Sequence, residues 1–170
     1  MKFSTLCLSF MLLLSAFIPA SAQSFSKGGV SFSFPSDWKV TEEEEVGKDG
    51  YYLSCEKEGS DASGLATLTW MKGGETMEVI QAYLNNLKTD LTAKGAKSFV
   101  MVEPAPSSFG SYRGVSSSYT FSIGGLDHSG RIYCFSKGGR SYTFIFQEAV
   151  EDHKKNLAGF AKIEETFAVK

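Results

Sequence analysis

Val30-Ser31-Phe32-Ser33-Phe34-Pro35-Ser36-Asp37-Trp38-Lys39-Val40 sets a strand, a turn and a large apolar anchor in immediate succession. Val30, Phe32 and Phe34 alternate with serines, the two-residue period of a strand that lays one face on a core. Pro35 presets φ and Asp37 can bond its own backbone, so the chain turns there. Trp38 and Val40 open a second strand that runs to Val46 through four consecutive glutamates, residues 42–45. Upstream, Gly28-Gly29 punctuates, and residues 23–27, polar apart from Phe25, read as a frayed lead-in.

Downstream the same period recurs. Tyr51, Leu53 and Cys55 share one face of a third strand, and residues 56–64 are a loop rich in charge, Ser and Gly. Residues 65–71 alternate Ala66, Leu68 and Trp70 against Leu65, Thr67 and Thr69 as a fourth strand. The period then changes to three and four residues at Met77, Ile80, Leu84, Leu87 and Leu91, an amphipathic helix that lays one stripe on a sheet. Gly73-Gly74 and Glu75 suit its start, and Lys94-Gly95 its end. Residues 99–102 form a short strand stopped by Pro104 and Pro106. Residues 112–123 alternate; residues 131–135 and 142–146 are apolar on both faces and belong in the middle of a covered sheet. Gly124-Gly125 and Gly138-Gly139 supply their hairpin turns. A second helical pattern, with Asp152 as N-cap, places Leu157, Phe160, Ile163 and Phe167 on one side.

The first twenty-two residues carry an address. Met1-Lys2 is a short basic start, Leu6 to Ile18 is mostly apolar, and Ala20-Ser21-Ala22 places small residues where a signal peptidase reads, before Gln23. The apolar run is short for a membrane span and no stop-transfer segment follows. The expectation is a cleaved secretory signal over 1–22 and one domain over 23–170. Cys7 lies inside the apolar run with no lipobox at the cleavage point, which argues against a lipid anchor. Lys2 leaves with the signal, so the mature chain carries 16 Lys and Arg against 19 Asp and Glu. That balance gives no footprint for nucleic acid.

From Phe32 to Val40 the chain reads Phe-x-Phe-Pro-x-x-Trp-x-Val, and this opening resembles that of PsbP-like domains. The long helix, the aromatic strand Tyr142-Thr143-Phe144-Ile145-Phe146 and the final helix ending in Thr166-Phe167 extend the resemblance from Val30 to Phe167. It implies an α+β fold, a three-layer α/β/α sandwich around a largely antiparallel sheet of about seven strands. Members include extrinsic photosystem II subunits, a nuclear-import factor that binds the Ran GTPase, and DcrB-like bacterial envelope proteins. These share no active site, so the resemblance carries over no site residues.

Several side chains invite chemistry. Asp127-His128 and Asp152-His153 would suit zinc or manganese if the two pairs met; otherwise they are a loop histidine and a helix start. Cys55 and Cys134, the cysteines of the mature chain, would pair in an oxidising compartment with a gain of roughly 4 kcal/mol, or remain buried thiols on separate strands. A cysteine nucleophile needs a histidine beside it and a lowered thiol pKa, which mid-strand apolar surroundings oppose. Gly73-Gly74 precedes a helix as a phosphate cradle would, but no Lys-Ser/Thr follows. Residues 42–45 would gather calcium or a basic partner only if the strand bent; solvated, they guard a sheet edge. Phe25, Tyr52 and Phe109 are the aromatic candidates for surface contact.

The sum is a secreted or periplasmic, monomeric binding or accessory protein of the cell envelope. It needs no cofactor or catalysis of its own, its partner is an envelope protein the sequence does not identify, and no transmembrane segment remains in the mature chain. Two alternatives stand beside this one: a carrier of a small apolar ligand or metal ion, and a thiol- or metal-dependent enzyme.

Overall fold

The computed structural model describes residues 22–59 and 63–170. Apart from Ala22, the proposed signal segment lies outside the described residues.

The strand–turn–strand opening forms as its pattern dictates. β2 (Val30–Phe34) buries Val30, Phe32 and Phe34, and β3 (Trp38–Val46) begins with Trp38, 1% exposed. The lead-in is a strand as well. β1 (Gln23–Lys27) pairs antiparallel with β2 across Gly28-Gly29, whose φ values of 60° and 82° only glycine adopts without strain. Phe25 is therefore buried against Phe32, with ring centroids 5.4 Å apart, and is not a surface aromatic.

β4 (Gly50–Lys57), β5 (Leu65–Lys72), β8 (Tyr112–Ile123), β9 (Leu126–Lys137) and β10 (Arg140–Ala149) build the large sheet with β3. Its order is β3-β4-β5-β10-β9-β8, with every pairing antiparallel. Two short strands, β6 (Lys97–Met101) and β7 (Ala105–Phe109), pair with successive parts of β8 at the far edge. The sheet is thus eight strands laid in seven positions. The doubly apolar segments lie where their composition requires, with β10 at the centre and β9 beside it. β7 accommodates Pro106 because it is an edge strand. It turns Phe109 into the core at 1% exposure, so this residue too is no surface contact.

α1 (Thr76–Ala93) covers one face of the sheet. Ile80 and Leu84 pack with Tyr119, Phe121, Ile132 and Cys134, while Met77 at the start of the stripe stays half exposed. A one-turn 3₁₀ segment (Val150–Asp152) leads into α2 (His153–Thr166), which covers the other face. It shares that face with a small sheet in which β2 lies between β1 and β11 (Ala168–Val169). Phe32, Phe34, Trp38, Phe109, Phe144, Ile163 and Phe167 meet in this second core. The three layers are α1, the large sheet, and α2 with the small sheet.

Candidate functional site

The α2 layer leaves part of the large sheet uncovered. The register aligns Thr120, Ser129 and Glu148 in one row across β8, β9 and β10, and Ser118, Arg131 and Phe146 in the next. These side chains face away from α1, because strands alternate and Tyr119, Phe121 and Ile132 point toward it. Together with His153, Leu157, Phe160 and Glu164 of α2 they enclose a cleft of about 500 Å³.

Glu148 is its most constrained member. It shares the inward parity of Tyr142, Phe144 and Phe146, so the strand delivers a carboxylate to a core face, where it is 6% exposed. The first turn of α2 satisfies it: His153 Nδ1 lies 2.5 Å from Oε1 and Asn156 Nδ2 donates to Oε2 at 3.0 Å. Asn156 is fully buried, and its Oδ1 has no hydrogen-bond partner among the described residues. Asp152 sits at the N-cap position of α2 but makes no side-chain cap bond. Its carboxylate instead accepts from Lys155 at 2.7 Å and Ser63 Oγ at 2.9 Å, which hold it below the usual carboxylate range. Ser63 Oγ accepts in turn from the Ala149 backbone at 2.8 Å, tying the loop before β5 to the start of α2.

Across the cleft, one Arg131 N–H donates to the Tyr133 hydroxyl at 3.0 Å. That bond, with Glu164 nearby, holds the guanidinium protonated above its already high value. Phe160 stacks on Phe146 at 4.7 Å, and Leu157 beside it is 48% exposed. The cleft therefore joins a hydroxyl floor, an apolar wall and fixed charges of both signs.

The two Asp-His pairs do not meet. His128 stacks on Phe121 at 4.9 Å on the α1 face, whereas His153 projects from α2 on the other. Asp127 accepts from Ser122 Oγ at 2.6 Å, and no group of three His, Cys, Asp or Glu among the described residues converges as a metal site. Nor do Cys55 and Cys134 pair. Both are free and buried, in separate cores on opposite faces, with β5 and β10 between their strands. Burial pushes the Cys55 thiol up to about 12 and raises that of Cys134, the reverse of what a nucleophile requires. At Gly73-Gly74 the Gly73 N–H already donates to the Gly139 carbonyl at 3.0 Å, so that donor is not free for a phosphate. Residues 42–45 stay exposed along the outer edge of β3, where Glu43 is engaged by Lys27 and the Tyr51 hydroxyl. Tyr52 is half-buried.

Glu148, Asn156, Arg131 and Glu164 were not singled out by sequence reasoning. The available signal was a charged residue in phase with three inward aromatics on one strand.

No protein-family model matches the chain, and no curated protein matches it significantly. Solved structures do. Cyanobacterial PsbP (CyanoP) from Synechocystis sp. PCC 6803 superposes with a TM-score of 0.59 at 13% identity, covering 89% of this chain and 94% of that one. A protein from Bacteroides thetaiotaomicron VPI-5482 superposes with a TM-score of 0.55 at 14% identity, over 86% of this chain and 48% of that one. The chain thus spans about half the length of the Bacteroides protein. At these identities the likeness concerns the fold, and the fold is PsbP-like.

Proposed function

We propose that the chain is an exported, non-catalytic accessory protein of the cell envelope that acts by binding, as a monomer, in the cleft under α2. One observation carries this reading: a concave space of about 500 Å³ gathers a locked carboxylate, a guanidinium and an apolar wall. That volume suits a small-molecule site. It contains no cysteine, and both thiols lie in the cores with raised pKa values, which disfavours the thiol-enzyme alternative. The carrier alternative gains from the same cleft, with a small organic molecule in place of a metal ion. The leader-like pattern of residues 1–22 and the envelope roles of the DcrB-like proteins that the sequence resembles support the compartment. Among the described residues no helix is long and apolar enough to cross a membrane.

The test is native mass spectrometry of protein exported by its own leader, purified without reductant and exposed to envelope extract. The expected species begins at Gln23 and carries a bound mass that a Leu157→Arg substitution, which blocks the cleft mouth, removes. Full-length protein retained in the cytosol would refute export. An adduct insensitive to Leu157→Arg, or none from any extract, would refute the cleft.

A further inference from the structure

Three hydroxyls floor the cleft, those of Ser118, Thr120 and Ser129, and none makes a side-chain hydrogen bond to another described residue. An apolar occupant would strip water from all three and from Glu148 without replacing their hydrogen bonds, a cost repeated at each group. An anionic occupant would approach both Glu148 and Glu164; a cationic one would meet Arg131. The lining carries charge of both signs, the Glu148 and Glu164 carboxylates and the Arg131 guanidinium, so neither an anion nor a cation meets only complementary charge.

We infer that the cleft takes a neutral, hydroxyl-rich ligand with one apolar face, a small saccharide, and this rests on the cleft being the binding site. Such a molecule both donates and accepts. Its hydroxyls donate to Glu148, whose two oxygens each retain a lone pair after binding His153 and Asn156, and accept from the guanidinium N–H groups that Tyr133 leaves free. Ser118, Thr120 and Ser129 serve either role. The C–H face of a pyranose ring lies against Leu157 and Phe160. The carboxylate is pinned from α2 before any ligand arrives, so little ordering is needed at binding.

The experiment is titration of the ¹⁵N-labelled protein, isolated after export, with maltose, cellobiose and N,N′-diacetylchitobiose, and separately with decanoate, followed by amide shifts. The expected result is saturable movement of the Ser118, Thr120, Ser129 and Leu157 amides by at least one saccharide. Thr120→Val and Ser129→Ala, which alter partly or fully exposed hydroxyls and leave the cores intact, each weaken that binding by roughly three- to tenfold. Movement of these amides by decanoate alone overturns the ligand class while leaving the cleft as the binding site. Shifts elsewhere, or none with any probe, overturn the inference, and the Leu157→Arg experiment then decides the cleft independently.

Discussion

Gly159 lies on the buried side of α2 because the Trp38 indole occupies the space where a β-carbon would be. Alanine ordinarily improves a helix by up to about 1 kcal/mol over glycine. Here the added methyl overlaps a ring that is 1% exposed and wedged edge-on against Phe160 at 5.3 Å. Gly159→Ala should therefore destabilise the protein by about 1–3 kcal/mol, seen as a lower urea midpoint with an unchanged slope. A rise in midpoint would mean that Trp38 can move aside. The cysteines give a second residue-scale prediction. Thiol reagents at pH 8 should leave Cys55 and Cys134 untouched in the folded protein and modify both in urea. The unfolded Cys55 thiol loses its proton near 9 and the folded one near 12. The unfolded state therefore binds fewer protons across that interval, and stability falls as pH rises through it. A flat profile between pH 9 and 11 would contradict the burial of this thiol.

At the scale of elements, β3 pairs with β4 and, among the described residues, with no other strand, and Glu42, Glu44 and Glu45 are exposed along its outer edge. Exposed charge blocks edge-to-edge pairing. The double substitution Glu42→Val with Glu44→Val should leave the protein folded by circular dichroism but raise its mass by light scattering above that of the unsubstituted protein at high concentration. A variant with unchanged mass would remove that role from the glutamates. How an element could be read from the sequence depended on how much apolar side chain it carries. α1 was legible because five apolar residues repeat at helical steps, and β9 and β10 because segments apolar on both faces have only the middle of a covered sheet to occupy. β1 was missed because one phenylalanine cannot establish a period, and β7 because Pro104 and Pro106 read as a stop, although Pro106 is tolerated on an edge strand. The cleft was not legible at all. It exists only once β8, β9 and β10 lie side by side and α2 stops short of covering them.

At the scale of the whole molecule, Phe167 joins the layers. It follows α2, precedes β11, and stands edge-on to Phe144 at 4.8 Å, with Phe109, Tyr112 and Phe135 each within 5.8 Å. Phe167→Ala should cost about 3–5 kcal/mol, read as a large drop in thermal midpoint, and should loosen the small sheet by detaching β11. A loss below 1 kcal/mol would show that the large sheet and α1 carry the fold without this layer.

The small sheet also has a temporal side. Ala168 and Val169 pair with Ser31 and Val30, so this layer closes only when segments from opposite ends of the described chain find each other. Assembly dominated by such distant pairings is slow, on the order of milliseconds to seconds, where helical bundles take microseconds to milliseconds. Refolding followed through the buried Trp38 and Trp70 should fall in that slow range, and a phase complete within microseconds would contradict it. On the export route proposed above, in which the polypeptide would cross a membrane unfolded, sluggish closure is useful: the chain would stay threadable until it reached the far side.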